Sequence, residues 1–278
     1  MWIAIALLIC ASVLIEVAGS IGKIEIRKKI ESIFSMSFLN MFWSFGVFGA
    51  ILVFRPDAWR FSVASIPLLI IRLILDCFQV YWTGKALSLA SRGTFGLVRT
   101  LTIPLVLLAE VALGYQLSAL QLIGVSIVSL TLMLLGSLGD IEKKGIQFVL
   151  LSAINAAVTI TLFKFSITHY NSIPTDQFIV TAGLLVFLYV MARRKGERPF
   201  QLLRMPMIAG QSAAFGTASL LSSLTMGVLP ASIATTFSRA LDVFWSIVFG
   251  KAYFKETHVV AKLIGCAAIV VGLVFLAR

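Results

Sequence analysis

The sequence contains little charge. Aspartate, glutamate, lysine and arginine make up 13% of its 278 residues, roughly half the share in an average soluble domain. In contrast, 59% of the residues are hydrophobic and the mean hydropathy is +1.01. A soluble protein could not hide so much apolar surface from water. The composition therefore excludes a soluble catalytic domain and predicts an all-α integral membrane protein.

Cysteine and histidine, which supply many metal ligands and nucleophiles, are also scarce. The chain holds only Cys10, Cys77, Cys266, His169 and His258, each isolated in sequence. Such spacing matches neither a disulfide framework nor a metal site. No glycine-rich loop precedes a Lys-Ser or Lys-Thr pair, and the segment Gly210–Ala213 lacks the second glycine of a nucleophile elbow. We expect neither an enzyme nor an ATP-driven pump, and no cofactor or metal.

Acidic residues number 12 against 23 basic ones, which gives a net charge of +11. A soluble protein with this charge would suggest a nucleic-acid partner, but here the basic residues collect in short links between apolar stretches. Fifteen lie in odd-numbered links when Lys262, near the start of the last apolar stretch, is included, and two, Arg55 and Arg60, lie in even-numbered ones. Positive charge favours the cytoplasmic side. We therefore expect a multi-pass protein of the bacterial inner membrane, with both termini non-cytoplasmic and no nucleic-acid partner.

Apolar stretches long enough to cross a bilayer recur along the whole chain. Ten spans are predicted, at 3–19, 36–54, 67–90, 93–114, 118–137, 146–168, 175–192, 206–227, 231–250 and 259–277. The first stretch lacks the basic residues and cleavage site of a signal peptide, so it is interpreted as a span. The links are too short to hold a soluble domain.

Short matches at a nearly constant offset indicate an internal repeat. Leu122-Ile123-Gly124 recurs as Leu263-Ile264-Gly265 at an offset of 141, and Arg99-Thr100-Leu101 aligns with Arg239-Ala240-Leu241 at 140. Two five-span repeats, 1–140 and 141–278, are therefore predicted within one compact membrane domain. Because five is odd, the two halves insert with opposite orientation, as in many secondary transporters.

The ends of both halves resemble a known family. The stretches Pro104–Gly124 and Phe249–Gly265 are similar to the end of the EamA-type repeat of the drug/metabolite transporter superfamily, where an apolar fourth helix ends near a glutamate and a glycine-containing fifth helix follows. Glu256 matches that glutamate, whereas Tyr115 stands at the matching position of the first half. The resemblance implies ten helices in two inverted repeats, a transport function, and a cavity lined by the third, fourth, eighth and ninth spans.

A few charges remain inside predicted spans, where each is costly unless it is paired or solvated. Arg72 and Asp76 lie four residues apart, so they share a helix face. Either they form a structural ion pair, or they carry proton coupling or gating. Glu16 is a second candidate for proton coupling. Glu110 and Lys164 lie close enough to span ends to reach the interface.

Arg99 and Arg239 are the leading candidates for substrate binding. Each lies about two turns inside its span, and inversion places them on opposite sides of the membrane midplane. A guanidinium stays charged and suits phosphate or carboxylate. Asp242, three residues after Arg239, could neutralise it. Related phosphate and nucleotide-sugar carriers also use basic residues on late helices of each half, which is an argument by resemblance.

Polar and aromatic residues near these charges could line a cavity for an amphipathic solute. They are Gln79, Tyr81 and Trp82 on the third span and Trp43 on the second. Ordinary packing and interfacial aromatic belts are the alternative. The expected function is a secondary transporter, a monomer or homodimer, that moves a small anionic or zwitterionic metabolite by alternating access. A flippase or scramblase for a phosphate-bearing lipid carrier is the alternative, and a membrane-embedded enzyme or a non-transporting scaffold is third.

Overall fold

The computed structural model describes residues 2–27, 32–90, 95, 98–116, 118–137 and 145–254, with 267–268, 271–272 and 275. Most of these residues are helical, and none of them lies in a β-strand. Helices satisfy every backbone hydrogen bond within one segment, as an apolar solvent requires. The prediction of an all-helical chain is confirmed.

The described helices follow the predicted spans in order. They are α1 (Trp2–Arg27), α2 (Ile33–Phe54), α3 (Ile66–Leu89), α4 (Thr102–Ala112), α5 (Ala119–Ser137), α6 (Ile146–His169), α7 (Ile173–Arg194), α8 (Pro206–Met226) and α9 (Ala231–Phe254). Short helical turns, Pro56–Ala58, Val63–Ser65 and Pro199–Leu202, lie in the links after α2 and α7. Of the tenth predicted span, 259–277, only five helical positions lie within the described residues.

Five segments of the described chain are long and apolar enough to cross a membrane. They are Trp2–Gly22, Ile33–Phe54, Val63–Ala86, Ile146–His169 and Ile173–Arg194. The apolar helical stretches Thr102–Ala112 and Ala119–Thr131 are shorter. The membrane character of the chain therefore follows from its longest helices.

Each of two serines begins a helix and binds the loop that follows the other helix. The Ser32 hydroxyl accepts a hydrogen bond from the amide of Phe34 at the start of α2 and donates one to Glu197, after α7, at 2.7 Å. In the same way Ser172 caps α7, and its own amide donates to the carbonyl of Arg60, after α2, at 3.0 Å. An N-cap serine satisfies one of the free amides of a helix start. The loop after α7 therefore contacts the start of α2, and the loop after α2 contacts the start of α7.

The helix packings occur in matched pairs. Helix α1 packs on α8 as α6 packs on α3, α2 on α8 as α7 on α3, and α1 on α9 as α6 on α4. Helices α2 and α7 pack on each other, as do α4 and α9. Glycines allow close approach at corresponding points, because Gly84 lies against Ile33 at the start of α2 and Gly227 against Ile173 at the start of α7.

Candidate functional site

Helix α3 has an apolar outer face and a polar inner face. Ile70, Ile74 and Phe78 are about half exposed, at the spacing of one helix face. The inner face carries Arg72, Asp76, Gln79 and Thr83, which extend over about 16 Å at 1.5 Å per residue. Since α3 packs on α6 and α7, this polar stripe faces protein on those helices.

At the end of the stripe nearest the start of α3, Arg72 contacts side chains of α3, α6 and α7. Its Nε lies 3.6 Å from Asp76, as the sequence spacing predicts. Its Nη1 donates to Asp176 in the first turn of α7, its Nη2 donates to Gln177 at 3.1 Å, and its guanidinium lies 4.5 Å from the centre of the Phe163 ring. Arg72 is buried. We call Arg72, Asp76 and Asp176 the Arg72 cluster.

Asp176 is the charged residue of this cluster that the sequence analysis did not single out. It lies inside the predicted span 175–192, directly after the Ser172 cap, so an acidic residue in a helical first turn was the available signal. In the structure its carboxylate is fully buried and accepts hydrogen bonds from Arg72, from the Ser166 hydroxyl and, at 3.3 Å, from the Asn171 amide. Both oxygens of this carboxylate therefore accept hydrogen bonds.

Further along the same stripe, Gln79 forms hydrogen bonds with neighbouring side chains. It donates to Thr83 and to Ser152 on α6, at 2.9 and 2.8 Å, and accepts from Asn155 at 2.7 Å. Asn155 also donates to the carbonyl of Leu75 at 2.9 Å. These bonds join α3 to α6, and a mutually satisfied buried network favours one fixed geometry. Gln79 is therefore a structural contact between these two helices.

The predicted aromatic residues lie toward the outer surface. Tyr81 and Trp43 are 43% and 40% exposed. Trp82 stacks on Phe78, which belongs to the outer face of α3, with ring centres 5.3 Å apart. Such positions are typical of lipid-facing and interfacial aromatic side chains. Substrate contact through these three residues stays a prediction.

The two remaining arginines, Arg99 and Arg239, lie in the region where α4 packs on α9. Nη1 of Arg239 donates to Asp242 at 2.9 Å, which is the predicted pair. Arg99 lies 5.3 Å from the centre of the Phe95 ring, and its charge interacts with those of Arg239 and Asp242. The Nε atoms of both arginines are buried and have no hydrogen-bond partner among the described residues. We call Arg99, Arg239 and Asp242 the arginine pair site.

Helix α1 approaches this site from the side of α9. Arg239, Asp242 and Trp245 follow at a spacing of three, so they share one face of α9. The indole nitrogen of Trp245 donates to the Ser12 hydroxyl on α1 at 3.0 Å. Glu16 lies one turn further along α1, on the same face as Ser12. Helix α1 therefore contacts, through Ser12, the face of α9 that carries Arg239 and Asp242, and the role of Glu16 stays a prediction.

Glu110 and Lys164 support the turn between α8 and α9. The Glu110 carboxylate is buried and accepts from the amides of Ala231 and Ser232, at 2.5 and 3.0 Å. The Lys164 ammonium donates to the carbonyls of Met226 and Leu229, at 2.7 and 3.0 Å. An acid at a helix start and a base at a helix end both complement the helix dipole. Both charges are satisfied inside the protein rather than by reaching the interface.

Two cavities accompany these clusters in the described part of the chain. An apolar groove of about 170 Å³ lies between α3 and α7, and Leu69, Leu73 and Val180 are part of its wall. A cavity of about 250 Å³ lies beside Lys164, Tyr115 and Leu229. Neither is lined by Arg99 or Arg239. No group of three His, Cys, Asp or Glu residues that could hold a metal occurs among the described residues.

Comparison with known proteins yields a fold match without a family. No protein-family model and no curated protein matches the sequence. One solved crystal structure of a protein is similar over 98% of this chain and 98% of that chain, with a TM-score of 0.70 and 16% sequence identity. At that identity the likeness shows the fold alone.

Proposed function

We propose that the protein is a secondary transporter with ten membrane spans arranged as two inverted five-helix repeats, similar to drug/metabolite transporters. Its substrate is a small anionic or zwitterionic metabolite, and it works by alternating access. Binding energy comes from Arg99 and Arg239, one from each half of the chain. The site lies between the repeats, where inverted-repeat transporters commonly bind their substrates.

The reciprocal packing supports an inverted repeat. Exchanging α1 with α6, α2 with α7, α3 with α8 and α4 with α9 converts the most extensive packings into one another, although several smaller contacts have no counterpart. The caps Ser32 and Ser172 are 140 residues apart, which is the sequence offset of Arg99 and Arg239. A two-fold relation between the halves accounts for both observations.

The observation that carries the proposal is the charge balance of the arginine pair site. Two guanidiniums interact with each other and with one carboxylate in contact, Asp242. Buried positive charge is expensive unless it is paired. A carboxylate or phosphate could fill the open donors of Arg99 and Arg239, since a guanidinium binds such groups with a planar fork. The amino group of a zwitterion would find Asp242 nearby.

A melting assay on the purified protein tests this proposal directly. Inorganic phosphate, acetate, glutamate and a neutral sugar should be compared at several concentrations, because a bound solute raises apparent stability. We expect at least one anion to raise the melting temperature of the wild type and to lose this effect in Arg99→Ala. The exposed loop variant Arg204→Ala is the matched control and should keep the effect. An equal response of the wild type and Arg99→Ala would contradict the site.

Transport is tested by exchange in proteoliposomes with the labelled anion that gave the largest melting shift. We expect saturable counterflow that Arg99→Ala abolishes. The apolar groove between α3 and α7 is the observation that favours a lipid-linked anion as the second candidate. Movement of a fluorescent phospholipid between leaflets, without counterflow of any soluble anion, would favour that candidate.

A further inference from the structure

Two carboxylates in the Arg72 cluster share one guanidinium. Arg72 carries one positive charge, whereas Asp76 and Asp176 together carry two negative charges when both are ionised. A net charge that is buried away from water is unfavourable. One bound proton removes it, because two carboxylates at one site cannot both remain ionised as easily as one. The geometry therefore creates a place for a proton.

The surroundings of the two carboxylates decide where the proton binds. Asp176 is 0% exposed and accepts hydrogen bonds from an arginine, a hydroxyl and an amide, all of which favour its ionised form. Asp76 is 20% exposed, and its described contact is the 3.6 Å approach of Arg72 Nε. Asp76 is thus the carboxylate that lacks donors and that a proton can reach.

Other charged groups on the neighbouring helices do not replace this balance. Helix α2 has no ionisable residue, and the charges that act on Asp76 are those of Arg72 and Asp176. On α6, Lys164 donates to the turn between α8 and α9, and His169 is exposed. On α1 the described charged side chain is that of Glu16, and Cys10 is an exposed thiol. On α7, Arg193 and Arg194 lie at the end opposite Asp176.

We propose that Asp76 is a proton-binding site that controls the contact between α3 and α7. When Asp76 is ionised, Arg72 divides its attraction between a carboxylate on its own helix and Asp176 on α7. When a proton converts Asp76 to the neutral acid, Asp176 becomes the only anionic partner of Arg72, and the net charge of the cluster changes from minus one to zero. Protonation therefore tightens the contact between the halves, and proton release loosens it.

This inference rests on the proposed function, because a proton that favours one arrangement of α3 and α7 can be coupled to solute movement. In an alternating-access transporter, a site occupied from one side and emptied on the other links the proton gradient to the cycle. Binding of the proton itself can be measured without any solute. The proton site and the proposed transport function can therefore be disproved independently of each other.

The experiment is an infrared pH titration of the full-length protein in lipid, with the proton as the probe. We expect the wild type to show a protonated-carboxyl C=O component that disappears as the pH rises. Asp76→Asn should lose this component. Asp242→Asn is the matched control, because Asp242 is also partly exposed and paired with an arginine, and it should keep the component.

Each result bears on the site. Identical titrations of the wild type and Asp76→Asn, or loss of the component in Asp242→Asn instead, overturn the proposal. If Asp76→Asn does not fold, Asp76→Glu keeps a carboxyl group there and should shift the frequency or midpoint of the component. An unshifted component in Asp76→Glu overturns the proposal equally. Absence of anion binding in the melting assay would leave this titration unaffected.

Discussion

The Arg72 cluster and the arginine pair site use the same residue types in opposite proportions. In the first, one guanidinium contacts two carboxylates and an amide group. In the second, one carboxylate, Asp242, contacts Arg239 and acts on Arg99 only through its charge. In both clusters arginine Nε atoms are buried without a hydrogen-bond partner among the described residues. Arg72 nevertheless donates from both Nη atoms to residues of the other half of the chain, whereas Arg239 donates to a carboxylate of its own helix. The first therefore joins helices, and the second is suited to receive a ligand.

The comparison separates two consequences of placing a charge in an apolar protein. A buried charge that is hydrogen-bonded to side chains of another helix fixes the packing of the two helices, because removing the partner leaves a poorly compensated buried charge. A buried charge with open donors is less favourable in the empty state and gains most from an added anion. Mutations should therefore affect mainly stability at the Arg72 cluster and mainly binding at the arginine pair site.

The largest effect on stability is expected for Asp176→Asn. The substitution keeps the shape but removes the fully buried carboxylate that binds Arg72. Breaking a buried ion pair typically costs about 3–5 kcal/mol. We expect the free energy of unfolding, measured by denaturant titration in detergent, to fall by about this amount.

The matched control for Asp176→Asn is Asp57→Asn. Asp57 also pairs with an arginine, at 3.3 Å, but both side chains are exposed in the loop after α2. The Arg55 guanidinium holds the pKa of Asp57 below its usual value by hydrogen bonding. Surface pairs contribute little to stability, so Asp57→Asn should unfold with the wild type. Equal stability of both variants would remove the distinction between the two clusters.

A smaller effect on stability, with a gain in binding, is expected for Asp242→Asn. Its carboxylate is 29% exposed and has one arginine partner, so the loss should be about 1–2 kcal/mol, in the range of one charge-assisted hydrogen bond. Without Asp242, Arg239 is more available to an anion. Inorganic phosphate should then raise the melting temperature at lower concentration than in the wild type. Weaker phosphate binding would show that Asp242 contributes to the anion site.

The smallest effect on stability is expected for Arg99→Met, which keeps an apolar stem and removes the charge. Arg99 contacts the Phe95 ring, and no described carboxylate bonds to it directly. Replacing a poorly paired buried charge with an apolar side chain is often neutral or stabilising, so the free energy of unfolding should change by less than about 1 kcal/mol. The anion-dependent melting shift should be lost. A large loss of stability would place Arg99 among the structural ion pairs.

Local sequence spacing predicted the contacts between residues of the same helix. The Arg72–Asp76 pair follows from a spacing of four and the Arg239–Asp242 pair from a spacing of three. The order of the apolar stretches predicted the helices from α1 to α9. Spacing could not supply the Arg72–Asp176 contact, whose members are 104 residues apart, because it depends on how α3 and α7 pack. Tertiary packing also decided that Glu110 binds the start of α9 instead of reaching the interface.

The reciprocal serine caps have a consequence for the order in which the chain is assembled. Ser32 begins α2 early in synthesis, but its carboxylate partner Glu197 is 165 residues further along. Ser172 and the loop that contains Arg60 likewise depend on each other across more than one hundred residues. The Ser32 cap itself is local, because its hydroxyl accepts from the Phe34 amide, but its bond to Glu197 cannot form until the second half is in place. Final closure of the two halves is thus a late event after insertion, and two separately expressed halves should complement each other.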